Sequence, residues 1–584
     1  MKYPQLKELP TSRQMVDVFR GYNHNLRIST GEFFSMTNMT SDYYPVLSPR
    51  GKRGVYAKPA SPQGMIAKAD VCYVDGTAFV IGETRYEMEL STAAKDCPKR
   101  LTSMGAYVII MPDKKFINTA YPEERGSIEA EFVTDGEVEF TLCRSDGTAY
   151  GEHITQATAP ENPTNMTLWV DTSTKPHTMK QWSESSSMWV SIATTYIKIR
   201  CAGIGKSFEQ FDGIAISGLT GQPEQIAALE GAAIIQDKKD DYIVVIGILD
   251  QATKIDVPVT IARKMPVMDF VVECNNRLWG CRYGMDDHGE FVNRLYASKL
   301  GDFKNWNCYQ GISTDSYFAN VGTDGAFTGA ITHLGSALFF KETCLHKVYG
   351  SFPSEFQVQD TACRGVQFGC DRSMAIVNEV LYYKARHAVC SYDGSLPVEV
   401  SYALGSERYF DAVAGAYSNK YYISMCDKAG AWHLFVYDTA KGLWHREDNL
   451  HAEAFAELKG EMYCIDADDR NIITLLGSGD PDEAVVQWDA ETGELGISSP
   501  DMKYISRITF RMSLEIGSEL DIYAQYDLSE EWEHMCHIRG TELRSFSIPI
   551  RPRRCDFMRL KIKGKGGGKI YSMTKTIEQG SELS

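Results

Sequence analysis

No run of about 20 apolar residues occurs anywhere in this 584-residue chain, which excludes a membrane-spanning helix. The segment from Met1 to Arg20 is polar and charged, so no secretory signal is expected. The 15 cysteines are scattered and none forms a Cys-x-x-Cys pair; the nearest pairs are Cys274/Cys281 and Cys363/Cys370. Zinc sites want tighter pairs, and disulfide scaffolds are short and dense in cysteine. Mostly buried, reduced thiols are therefore expected, in a chain made in a reducing cytoplasm. His-Glu-x-x-His and His-x-His are absent. Positive charge is also in deficit: the net charge is −17, which argues against a general nucleic-acid coat. It does permit a wall past which DNA slides, since an acidic surface repels the duplex.

What is present is β-structure. Hydrophobic residues make up 43% and charged residues 23%, the composition of a globular protein. Val71, Tyr73 and Val74 lead through Asp75-Gly76 into Ala78–Ile81, the strongest short hairpin signal. Similar units of apolar strand, polar turn and aromatic strand begin near residues 270, 330, 375, 412 and 453. That spacing, about 40–60 residues, is the range of four-stranded propeller blades. One blade cannot bury both its faces, so neighbours must stack. The expected fold is all-β: a β-propeller of six or seven blades with an inserted β-rich domain and a C-terminal β-sandwich. The boundaries are an extended N-terminal arm at 1–60, a first blade at 61–119, the insertion at 120–265, the remaining blades at 266–481 and the sandwich at 482–584. A short helix is expected around Ser12–Phe19, capped by Thr11 or Ser12. The segment Lys563–Lys569, with Gly566-Gly567-Gly568, reads as a flexible basic loop.

Few constellations promise chemistry. Gly203-Ile204-Gly205-Lys206-Ser207 lacks the leading glycine of a phosphate loop, because Arg200 stands there. His534 and His537 are the one close histidine pair, and in a regular strand that spacing sends them to opposite faces. Asp286, Asp287 and Glu290, and Asp466, Asp468 and Asp469, read as solvated turn acids. The turn Ser145–Tyr150 distantly matches a sialidase repeat but lies outside the repeated units. Basic residues that would touch DNA or a neighbouring subunit are Lys52, Arg53, Arg551, Arg553, Arg554, Lys561, Lys563 and Lys565. No catalytic, cofactor or metal residues are expected. Many of the 31 tyrosines should fill the layers between blades, and some should serve interfaces.

Two stretches carry a family resemblance. The arm reads Phe19, Gly21, Asn23, Gly31-Glu32, Asn38, Tyr44-Pro45, Leu47, Pro49-Arg50. The middle reads Asn276-Arg277-Leu278-Trp279-Gly280, Leu295-Tyr296-Ala297-Ser298, Gly301-Asp302, Asn305-Trp306-Asn307. These resemble virion proteins of tailed bacteriophages, similar in layout to the tail-nozzle, or packaged-DNA stabilisation, proteins of short-tailed phages. The resemblance implies a non-enzymatic protein of the virion tail, made in the bacterial host. Its partners would be its own copies in a ring of six, the portal adaptor and other tail proteins, and packaged DNA through non-specific contact. No membrane insertion, cofactor or catalytic residue is implied. The competing expectation is a receptor- or glycan-binding tail protein or hydrolase. A WD-repeat scaffold would need repeated Gly-His and Trp-Asp signatures; Gly-His is absent and Trp-Asp does not recur.

Overall fold

The computed structural model describes residues 11–92, 98–287, 289–477, 483–497, 502–551 and 553–579. Among these, α-helix is confined to the single turn Glu224–Ala227, and nearly all remaining regular structure is strand. The fold class is all-β, built on antiparallel four-stranded blades of the propeller type with an inserted β domain and a C-terminal sandwich. No described helix is long and apolar enough to cross a membrane.

The chain divides into two compact units. The larger comprises residues 1–99, 339–345 and 361–584. Its four-stranded meanders run Pro62–Glu87, Ala375–Glu399, Tyr409–Arg446 and Ala452–Thr474. The last has only three strands of its own. Gly54–Ala57 supplies the fourth, pairing Val55 with Ile473 and Ala57 with Ile472. Apolar side chains then interlock between meanders: Met65, Val71, Tyr73 and Val80 pack on Ala456, Ile465 and Ile472.

The expected extended arm is thus woven into the sheets. Thr11–Val16, expected as a helix, is a strand paired with Gly568–Gln579. Only Gln14 and Val16, two positions apart, turn inward, which is the spacing of a strand face rather than of a helical stripe. Gly21–Tyr22 and Glu32–Thr37 bridge the meander ending at Arg446 to the strand Gln487–Thr492.

The C-terminal layers fold from one bent strand, Lys503–Tyr526. Residues 503–514 pair with Gly568–Gln579, and residues 519–526 pair with Met558–Lys565. The corner lies at Glu515–Ser518, where the register breaks and Ile516 is fully exposed. A strand that changes sheets through a bulge is how such corners are made. The glycines at 566–568 turn the facing hairpin tightly rather than forming a flexible loop. Gly566 has φ +88°, and a Cβ on Gly567 would lie 2.2 Å from the Glu515 side chain.

The second unit comprises residues 100–338 and 346–360. It holds the meanders Arg100–Ser127 and Phe270–Asn320. The segment 61–119, expected as one blade, therefore contains one full meander and most of another. The missed strand, Arg125–Ser127, is short and polar and carries no apolar signature. Met104, Ile109, Met111 and Phe116 pack against Leu278, Phe303 and Trp306. Between the meanders lie two sheets that enclose a separate core, including Phe140, Ile199, Ile216, Ile243 and Ile261. A smaller sheet, His153 to Ser191, packs beside them through Leu168, Val170 and Met179.

Candidate functional site

The basic residues do not assemble into one phosphate-binding face. Arg53 is buried and salt-bridged to Glu447 at 2.7 Å and Asp448 at 2.5 Å. Burial opposes its charge, but the two carboxylates overcome that and hold the guanidinium above its ordinary range. Lys52 beside it is exposed, as are Arg551 and Arg554. Arg553 pairs with Glu533 at 3.1 Å and lies over the Tyr526 ring. Lys561, Lys563 and Lys565 alternate along one strand between two acidic neighbours. Lys563 sits opposite Asp489 on one side and Asp521 on the other; Lys565 faces Glu519, and Lys561 bridges to Glu491 at 3.0 Å. Opposite charges in adjacent strands neutralise the face.

His534 and His537 both reach the same Oδ1 of Asp521, at 2.8 and 3.0 Å. The expectation of opposite faces fails because the register slips between Ile522/Cys536 and Tyr523/His534. The extra residue, Met535, resets the parity as a bulge does. Among the described residues no group of three or more His, Cys, Asp or Glu is arranged to hold a metal. The 14 described cysteines are free thiols, 11 of them buried. The acid clusters are turn-formers: Asp466 Oδ1 accepts from the Asp468 and Asp469 amides, and Asp286 Oδ1 accepts from the Glu290 amide. Residues 204–206 form a single 3-10 turn, and a Cβ on Gly205 would lie 1.9 Å from the Lys239 carbonyl, so no phosphate is cradled there.

The concave site that combines aromatic rings with free polar edges lies in the second unit. It is a cleft of about 470 Å³ formed by the loop after Gly301, the start of Tyr317–Asn320 and residues 352–354. Tyr309, Ile312 and Phe318 stand half-exposed at its wall, which Phe352, Pro353, Ser313 and Ser354 also line. Tyr309 and Phe318 meet edge-to-face, 5.9 Å between centroids. The Arg294 guanidinium lies 5.0 Å over the Phe318 ring and donates to Asn320 Oδ1.

The floor of this cleft is over-determined. Asp315 is buried, and its Oδ2 accepts the amides of Gln310, Gly311 and Ile312 at 2.5, 2.6 and 3.1 Å. Charge-assisted bonds of this kind hold a loop rigidly. Arg277 is 1% exposed and donates to the carbonyls of Ser298, Ser313 and Asp315. Burial pulls its pKa below the ordinary arginine value, and the Asp315 charge works against that. Asn305 donates to Asp212 and Asp302 and accepts from the Gly213 amide. Trp306 donates to the Phe303 carbonyl and Tyr309 to that of Trp306. Arg277, Ser298, Asp302, Asn305 and Trp306, which the family resemblance singled out, are the scaffold beneath the cleft. The rings that line it went unremarked. Their signal was an apolar pair, Tyr309 and Ile312, inside a loop otherwise rich in turn-forming residues.

No family model matches the chain, and no curated protein does. Among solved structures, an exo-β-1,3-galactanase from Phanerochaete chrysosporium aligns at 7% identity over 52% of this chain and 94% of its own, with a TM-score of 0.21. A Trypanosoma rangeli sialidase aligns at 8% identity over 98% and 96%, with a TM-score of 0.22. PorZ, a surface component of the Porphyromonas gingivalis type-IX secretion system, aligns at 10% identity over 88% and 82%, with a TM-score of 0.24. Likeness at this level transfers neither activity nor ligand.

Proposed function

We propose that this chain is a glycan-binding protein and that the cleft at Tyr309, Ile312, Phe318 and Phe352 takes the sugar. The carrying observation is a concave surface, on a loop pinned by Asp315 and Arg277, that is lined by both aromatic rings and serine hydroxyls. Sugar rings offer apolar C–H faces edged by hydroxyls, and such a surface matches both. A pocket of a few hundred cubic ångströms lined by apolar side chains and a few polar groups is the usual form of a small-ligand site. If the phage resemblance holds, the sugar belongs to the host surface.

A glycan array followed by calorimetry on the best hit tests this. Phe318→Ala should weaken binding by at least about tenfold, the scale of an aromatic anchor. Its unfolding temperature should hardly move, because Phe318 is 46% exposed. A chain that binds no glycan and forms a six-copy ring on a particle axis would instead favour the tail-nozzle role that the resemblance implies.

A further inference from the structure

Lys575 occupies a core position. It lies on Gly568–Gln579 between Met573 and Ile577, each less than a tenth exposed, and is itself 4% exposed. Burial pushes its ammonium below the ordinary lysine range. Among the described residues no hydrogen bond or ion pair reaches its side chain. Its stem is buried, but its nitrogen is not among the fully enclosed unpartnered atoms, so the ammonium opens onto solvent space that a ligand could fill.

Lys575 lines a small cavity in the larger unit, about 80 Å³ in volume. That is room for two or three waters at about 30 Å³ each, or for one small anion. Gln14, paired across the strands from Lys575, shares the cavity with Ser29 and Thr30. The side chains of these three also make no hydrogen bond among the described residues. The two acids of the wall are already engaged. Glu32 Oε2 accepts from the Asn23 amide group and the Ser29 backbone, at 2.9 and 2.6 Å. Glu494 Oε1 accepts from Arg559 at 3.2 Å. What remains uncommitted is one ammonium, one carboxamide and two hydroxyls, beside one unengaged oxygen each on Glu32 and Glu494. Gly493 keeps the wall thin, since a Cβ there would lie 2.4 Å from Ile28.

We propose that this cavity is a binding site for a small oxyanion, a carboxylate or a phosphate, with Lys575 as its charge partner. The site is independent of the aromatic cleft. It is built from an N-terminal segment and the C-terminal layers, so its ligand would tie residues 14–30 to the strand at 573–577.

The test is thermal unfolding of the full chain, titrated with inorganic phosphate and separately with acetate at constant ionic strength. The wild-type midpoint should rise by several degrees and saturate with one of the two, as expected for a ligand that binds only the folded state. A rise with acetate alone identifies a carboxylate ligand, and a rise with phosphate alone a phosphate. Lys575→Met, which keeps the volume and removes the charge, should abolish the rise. No saturable rise with either anion, or an equal rise in the variant, overturns the site. If the variant does not fold, equilibrium dialysis of the wild type against radiolabelled phosphate and acetate decides. One site per chain supports the proposal, and none refutes it.

Discussion

His445 shows how much a single buried ring can govern. It is 2% exposed on the strand Leu443–Arg446, and neither ring nitrogen has a hydrogen-bond partner. Lys420, Asp42, Asp438 and Lys441 surround it electrostatically. Burial pulls its pKa down to about 3, and Lys420 adds to the effect. In the unfolded chain it titrates near 6.5. Between those values the unfolded state binds the extra proton, so stability falls as pH drops below about 6.5 and levels off near 3. The slope from this residue approaches about 1.4 kcal/mol per pH unit. His445→Leu should flatten the acid limb of a stability-versus-pH curve from denaturant melts; an unchanged limb would assign acid sensitivity to the carboxylates instead. Arg53 makes the opposite point. Arg53→Met takes the salt-bridged cation from buried Glu447 and leaves Asp448 only Arg50 at 3.6 Å, so a loss of about 3–5 kcal/mol is expected in the same melts. Neither residue could be ranked from its sequence context. Arg53 looked like a surface base beside Lys52 because its partners lie almost 400 positions away.

At the scale of the element, legibility depended on whether the signal was local. The meander starts expected near 270, 330, 375, 412 and 453 correspond to strands at Phe270, Gly329, Ala375, Tyr409 and Ala452. Hairpin turns and aromatic alternation lie within a few residues of each other, so the chain displays them. The closing strand Gly54–Ala57 was hidden because it pairs with residues more than 400 positions on. The Met535 bulge was hidden because one inserted residue inverts a parity argument without changing composition. The glycines near 566 misled because close approach and flexibility use the same residue. Gly564 is a further case of close approach. It sits under Trp488, whose ring atoms would lie 2.0 Å from an added Cβ and whose Nε1 donates to the Gly566 carbonyl. An aromatic laid over a strand glycine is a known way of pinning register. Gly564→Ala should push Trp488 off that bond and cost about 1–3 kcal/mol by overpacking. Tryptophan fluorescence during chemical unfolding would report both the displaced ring and the lost stability.

At the scale of the whole chain, the insertion is a folding unit that also reaches the proposed sugar cleft. Its first and last strands, Ala130–Val133 and Thr260–Arg263, pair with Ala130 opposite Arg263, so its ends lie side by side, about 5 Å apart. It encloses its own core of 18 buried residues. Residues 130–263 expressed alone should therefore unfold in one cooperative transition. The cleft floor, however, borrows from it. Asn305 accepts from the Gly213 amide and donates to Asp212, and Arg263 pairs with Asp212 beneath. A chain in which two glycines replace residues 130–263 should keep its meanders, since their cores are separate. Yet Asn305 would lose two of its three side-chain bonds, and the loop carrying Tyr309 would gain freedom. Glycan affinity should then fall, with the loss in dissociation rate rather than association. If the shortened chain binds sugar as tightly as the full one, the insertion is a passenger on the loop and the Asp315 and Arg277 contacts alone set the cleft.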